Sequence, residues 1–223
     1  MVKGNILEKG AISQRDGETY SISPHIPGGF CEPAMLRKIA DVAEKYGAKM
    51  VKLTGSQRIA IIGIREEDID AAWAEFEDRS RAIGPSVRSI KMCPGTRSCK
   101  KAIQDSPALG FALDNAFYGQ PLPQKFKMGV SGCLNCCSDS WMKDVGFFGT
   151  KNGFTVTVGG KGGRAPRIGQ VLAENVSAEQ AVELTGRIID FYRKNGKAGE
   201  RICSLIDRVG FDLFSKAVLS KTE

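Results

Sequence analysis

Hydrophobic positions in the first ninety residues switch between two periods. Residues 19–22 alternate as a short strand does. Pro33 suits the first turn of a helix, and Leu36, Ile39, Ala43 and Tyr46 then recur on one face until Gly47. Residues 50–53 and 58–64 read as two strands about the turn Thr54-Gly55-Ser56. Glu66, Glu67 and Asp68 put acids at the positive end of a second helix, whose apolar stripe is Ile69, Trp73 and Phe76. A strand near 87–92 completes the order βαββαβ, a ferredoxin-like arrangement.

The rest of the chain follows another plan. A helical stretch reaches about Tyr118, and Pro121 and Pro123 end it. Residues 125–130 alternate, with Phe126, Met128 and Val130 on one side and Lys125, Lys127 and Gly129 on the other. Segments 145–148 and 154–158 form a hairpin-like pair, followed by the glycine-rich basic loop 159–169. Ser177-Ala178-Glu179-Gln180 is a capping box that opens a helix ending at Asn195-Gly196. A last helix, or two split at Gly210, completes the chain. The expected class is α+β: a ferredoxin-like βαββαβ unit over 1–90 joined to an α/β unit over 91–223.

Composition narrows the function classes. Hydrophobic residues make up 42% and charged residues 26%, the balance of a soluble globular protein. No apolar run approaches membrane-spanning length, and the first residues lack a signal-like apolar core, so the expected location is the cytoplasm without membrane association. The net charge of +7 comes from short groups of Lys and Arg near glycines and cysteines, without a block or helical stripe. A basic balance can serve nucleic acid, anionic lipid or a small anionic ligand, or belong to an ordinary basic protein, and charge alone does not choose among them. Seven cysteines are many for a reducing compartment, where they point to metal, cluster or catalysis.

Cys93 and Cys99 are spaced C-x₅-C, and Cys133 and Cys137 C-x₃-C. Four thiolates from two loops can surround a [4Fe–4S] cubane, one sulfur per iron, or tetrahedral zinc. Cys133-x₂-Cys136 is also a redox or zinc spacing, so spacing leaves Cys136 and Cys137 both open. Cys203 lies among Ile202, Leu205, Ile206 and Val209 at helical spacing and reads as a core thiol, and Cys31 as a packed loop thiol.

Gly132-Cys133-Leu134-Asn135-Cys136-Cys137 resembles the G-C-P-N-G-C signature of sulfite and nitrite reductases. Arg88-x₄-Cys93-x₅-Cys99 resembles that family's first cysteine pair and the arginine before it. Lys143 to Gly149, the segment 152–168, Leu53-Thr54-Gly55-Ser56-Gln57 and His25-Ile26-Pro27-Gly28-Gly29 extend the match in order. The resemblance implies a [4Fe–4S] cluster on Cys93, Cys99, Cys133 and Cys137, with Cys137 also bridging to the iron of a sirohaem. It departs from the pattern where Leu134 replaces proline and Cys136 replaces a small residue.

The implied reaction is six-electron reduction of sulfite to sulfide. Its alternatives are nitrite to ammonium on the same site, an iron–sulfur electron-transfer protein lacking haem, and a structural zinc module. Sirohaem is rich in carboxylates and the substrates are anions, so cations are needed. Arg58, Arg88, Lys125 and Lys127 are the expected catalytic set, and Lys161, Arg164, Arg167, Gln57 and Asn135 the expected cofactor contacts. Expected partners are a small anion, an electron donor such as a ferredoxin-type protein, and further copies of the chain, since larger members carry two copies of this plan; nucleic acid is not among them.

Overall fold

The computed structural model describes residues 4–76 and 82–220. The chain divides into two compact units, Met1–Gly84 and Pro85–Glu223.

The first unit contains β1 (Ile12–Ser13), β2 (Thr19–Ile22), α1 (Pro33–Lys45), β3 (Met50–Leu53), β4 (Ile59–Arg65) and α2 (Ile69–Ala74). Its antiparallel sheet has the order β1-β2-β4-β3. Pro33 opens α1, whose Ile39, Val42 and Ala43 are buried. They meet Ile22, Ile61, Ile64 and Trp73 in one core. Trp73 donates its indole N–H to the Lys9 carbonyl at 2.7 Å, so its burial leaves no donor unpaired. Burying each such large apolar side chain contributes about 1.5–3 kcal/mol.

The α+β class and the ferredoxin-like half are present, but the last element of the expected βαββαβ order lies elsewhere. The place beside β2 is taken by β1, and Val87 and Ile90 are buried in the core of the second unit. The structural division therefore falls at 84/85, ahead of the expected 90/91.

The second unit contains β5 (Lys91–Met92), α3 (Ser106–Phe117), β6 (Met128–Ser131), β7 (Val145–Thr150), β8 (Gly153–Val158), β9 (Gln170–Val176), α4 (Ala178–Asn195), α5 (Ile202–Val209) and α6 (Phe211–Leu219). The sheet runs β5-β6-β7-β8-β9, with β5, β6 and β7 parallel and the remaining pairs antiparallel. Val145, Phe147, Val156 and Val158 join residues of α3–α6 in a continuous core. The alternate positions of β7 are also buried, and Trp141 packs on Phe148 with ring centroids 4.6 Å apart. A loop covers that face, and Gly146 lets it approach: a Cβ there would come within 2.1 Å of the Ser140 carbonyl oxygen.

The capping box forms as expected, with the Gln180 N–H on Ser177 Oγ and the Ser177 N–H on Gln180 Oε1. Gly210, at φ +89°, separates α5 from α6. Among the described residues no helix is long and apolar enough to cross a membrane.

Candidate functional site

Parallel strands deliver their following loops to the same edge of a sheet. Cys93 follows β5 and Cys133 follows β6, so one edge receives both cysteine loops. The Cys93 N–H bonds the Val130 carbonyl at 3.1 Å, and the Ile103 and Gln104 N–H groups both reach the Gly132 carbonyl, at 2.8 and 3.1 Å. The Gly132 N–H donates to the Cys93 sulfur at 3.1 Å, and Ser106 Oγ stands 3.1 Å from that sulfur. An N–H directed at sulfur suits a metal-bound cysteine. Helix α3 starts at Ser106, where Asp105 caps it by accepting the Ala108 N–H.

Cys93 is buried, Cys99, Cys133 and Cys136 are half-buried, and Cys137 is exposed, all as free thiols. Among the described residues no three His, Cys, Asp or Glu side chains converge on one point for a single ion. A cubane spreads its ligands over four corner irons and asks for a wider arrangement. Cys203 is buried in α5 as its spacing implies, whereas Cys31 is exposed.

Cys136 adopts φ +58°, the left-handed region that suits glycine. That explains why a small residue belongs there. Relief of about 1–2 kcal/mol of left-handed strain, less roughly 0.5–1 kcal/mol for glycine's extra chain entropy, leaves a small gain. Cys136→Gly is thus expected to stabilise the apoprotein by about 0.5–1 kcal/mol. Anaerobic denaturant melts with bound iron measured alongside check this, and a loss of iron would make Cys136 a ligand.

The cations gather on different elements. Phe126, Met128 and Val130 are buried, while Lys125 and Lys127 are exposed, in keeping with the alternation. Both lysines precede β6, in a segment paired with 86–88: the Arg88 N–H bonds the Phe126 carbonyl at 2.8 Å and the Phe126 N–H bonds Ser86 at 2.9 Å. Arg88 therefore lies beside the lysine segment. Lys127, Lys143 and Arg201, with Asp139, Met142 and Gly162, line a cavity of about 140 Å³. Although Lys127 is exposed as a whole, partial desolvation of its ammonium, then the charges of Lys125, Lys143 and Arg201, pull that group below the ordinary lysine pKa, against Asp144. Burial also lowers Lys143, which faces Asp139 at 3.5 Å. Asp139 is bonded to Lys91 at 2.7 Å as well.

The other expected site residues are dispersed. Arg58 is buried in the first unit, where it lines a small cavity with Ser21, Ser23 and Trp73, and among the described residues its Nε has no hydrogen-bond partner. Gln57, at φ +59°, ends the β3–β4 turn and touches the space above Gly29, so two of the resembling segments meet. Asn135 and Arg164 are exposed and Lys161 is half-buried. Lys161 and Arg167 pair through their backbones, and the Arg167 guanidinium is bound to Asp207 at 2.6 and 2.7 Å. Sequence reasoning did not single out Lys143, Asp144 or Arg201 as site residues. Lys143 and Asp144 open a segment that extends the family resemblance, but nothing local marks a role for them or links them to residue 201.

Two family descriptions match the chain: the nitrite and sulphite reductase 4Fe-4S domain over residues 83–223, and the nitrite/sulfite reductase ferredoxin-like half domain over 12–79. An assimilatory-type sulfite reductase of Nitratidesulfovibrio vulgaris is 40% identical over 95% of this chain and 97% of its own length. A nitrite reductase [NAD(P)H] of Bacillus subtilis is 40% identical over 88% of this chain, which spans only 24% of that protein. Among solved structures, a dissimilatory sulfite reductase I has a TM-score of 0.81 at 16% identity, covering 92% of this chain and 70% of that one. The Mycobacterium tuberculosis NirA protein has a TM-score of 0.80 at 19% identity, covering 90% and 39%, and both structures share the fold. With both units matched and the cysteine loops joined at one sheet edge, the chain belongs to the nitrite and sulphite reductase family of iron–sulfur oxidoreductases.

Proposed function

We propose that this protein reduces sulfite to sulfide, six electrons and seven protons converting sulfite to hydrosulfide and three waters. The observation that carries the reading is the Gly132 N–H on the Cys93 sulfur, which joins the two cysteine pairs at one edge. Near-complete coverage of the assimilatory-type sulfite reductase favours sulfite over nitrite, since the nitrite reductases are matched over a small part of their length.

Cys93, Cys99, Cys133 and Cys137 would hold a [4Fe–4S] cluster, with Cys137 shared with a sirohaem iron. The residues present suit both groups. A thiolate shared with a second metal needs an open side, and Cys137 is exposed. Leu134 and Met142, apolar yet exposed on the same loop, suit the face of a macrocycle. The 159–169 loop abuts this one through the Gly169 N–H on the Trp141 carbonyl at 2.8 Å, and its Lys161 and Arg164 suit a carboxylate rim. Arg167, tied to Asp207, would brace that loop. When bound, the pair of cofactors supplies the electrons and the metal site for the anion. Lys125, Lys127 and Arg88 hold the oxyanion and deliver protons as S–O bonds break, and Arg58 is the fourth cation of the proposed catalytic set. A ferredoxin-type donor, cytoplasmic location and homo-oligomeric assembly complete the reading.

An anaerobic preparation is expected to show Soret and red absorption bands, with about four non-haem irons and one haem iron per chain, and to turn over sulfite faster than nitrite. Zinc in place of iron, a cluster without haem, or a preference for nitrite would overturn it.

A further inference from the structure

Lys127 is held in an unusual way. The ladder between β6 and β7 begins at Met128 and Val145, so regular pairing stops just short of it. The Asp144 side chain continues the pairing: its Oδ2 accepts the Lys127 N–H at 2.7 Å, and the Asp144 N–H donates to the Lys127 carbonyl at 2.9 Å. The Lys127 carbonyl also accepts the Val145 N–H at 3.3 Å, so Asp144 alone meets the N–H and shares the carbonyl. Asp144 is fully buried, and its charge is met by Arg201, whose Nη2 lies 2.6 and 2.8 Å from the two carboxylate oxygens. Arg201 is the residue just before α5, yet it also lines the cavity of Lys127 and Lys143.

We propose that the buried Asp144–Arg201 pair is the positioning element of the anion pocket, clamping the backbone at Lys127 so that its ammonium meets the substrate oxyanion. The inference rests on the reading of Lys127 as the anion-binding acid. Stability alone does not call for this pair, because well-packed apolar groups replace a buried ion pair without loss or with gain. What the charges add is specific. The carboxylate grips an N–H that the ladder leaves out, and the guanidinium forms a positive wall. Around the Lys127 ammonium, Lys125, Lys143 and Arg201 are like charges and Asp144 is the opposing one. Asp139, on the same cavity, is already paired with Lys91 and Lys143.

The test uses the double variant Asp144→Leu/Arg201→Met, which removes both charges and leaves neither orphaned. It is expected to keep wild-type absorption bands and iron content. Its kcat for sulfite should fall roughly tenfold to a hundredfold, the scale of a slightly misplaced catalytic group, and KM should rise as the positive wall is lost. Arg201→Lys keeps a charge for Asp144 but loses the two-pronged contact, and its kcat is expected to fall between those of the wild type and the double variant. In the metal-free protein, amide exchange at Lys127 should quicken at least about tenfold in the double variant. Wild-type kcat, an unchanged Lys127 amide, or loss of the sirohaem bands in the double variant would each overturn the proposal, the last by making the pair part of the cofactor cradle. A wild-type protein that turns over no sulfite would instead refute the functional reading, while the exchange measurement would still report on the clamp.

Discussion

Cys137→Ser is expected to abolish sulfite turnover and to remove the sirohaem bands together with the cluster, or to leave the two cofactors electronically uncoupled. One thiolate would serve both groups, so one substitution reaches both. Cys136→Ser is expected to keep both cofactors. The neighbouring thiols differ in environment, Cys136 half-buried at a left-handed turn and Cys137 exposed beside it. The Cys136 carbonyl closes that turn by accepting the Asp139 N–H at 2.9 Å, a backbone role that serine fills as cysteine does. Iron analysis and absorption spectra of both anaerobic variants decide the matter. If Cys136→Ser strips the cofactors and Cys137→Ser keeps them, the ligand is Cys136.

Lys125→Met and Lys127→Met should each retain the cofactors while sulfite turnover falls by roughly a hundredfold or more, the usual scale for lost acid–base assistance. Lys127 is the stronger case, because it lines the cavity and its pKa is depressed by partial desolvation and by three neighbouring cations. The sign of the pH dependence follows. The ammonium is the proton donor, present below its pKa and lost as pH rises through it. Turnover should therefore decline on the alkaline side at a pH below the ordinary lysine value of about 10.4. Lys127→Arg, which keeps its charge but does not give up its proton, should lower turnover at all pH values and remove that decline. Full activity in both methionine variants with cofactors intact would mean that the lysines only keep the segment soluble, and would move proton delivery to Arg58 and Arg88.

Much of this was legible in local pattern. Pro33 at the start of α1, the capping box at Ser177 and the break at Gly210 each act within a few residues, and each forms where the sequence places it. Alternation at 126–130 correctly marked the buried side. Strand β9 escaped notice because only Leu172 and Val176 are buried along it, too far apart to show a period of two. The destination of residues 87–92 was also hidden. Their partners, Phe126 and Val130, are distant in sequence, and pattern alone does not choose between sheets. The Asp144–Arg201 bond spans 57 residues and joins types that are usually on the surface.

The loop that carries the second cysteine pair lies against a sheet with no room for side chains at certain points. A Cβ on Gly146 would meet the Ser140 carbonyl oxygen at 2.1 Å, and one on Gly149 would meet that of Gly132 at 2.4 Å. These atoms are backbone and cannot swing aside, so even alanine would lift the loop off the strand. In a saturation-mutagenesis screen for growth on sulfite, both glycines should tolerate as little as the cysteines do. A genetic map of this protein would thus mark positions with no reactive atom as if they were ligands, and only the distance to the opposing carbonyl tells the two kinds apart.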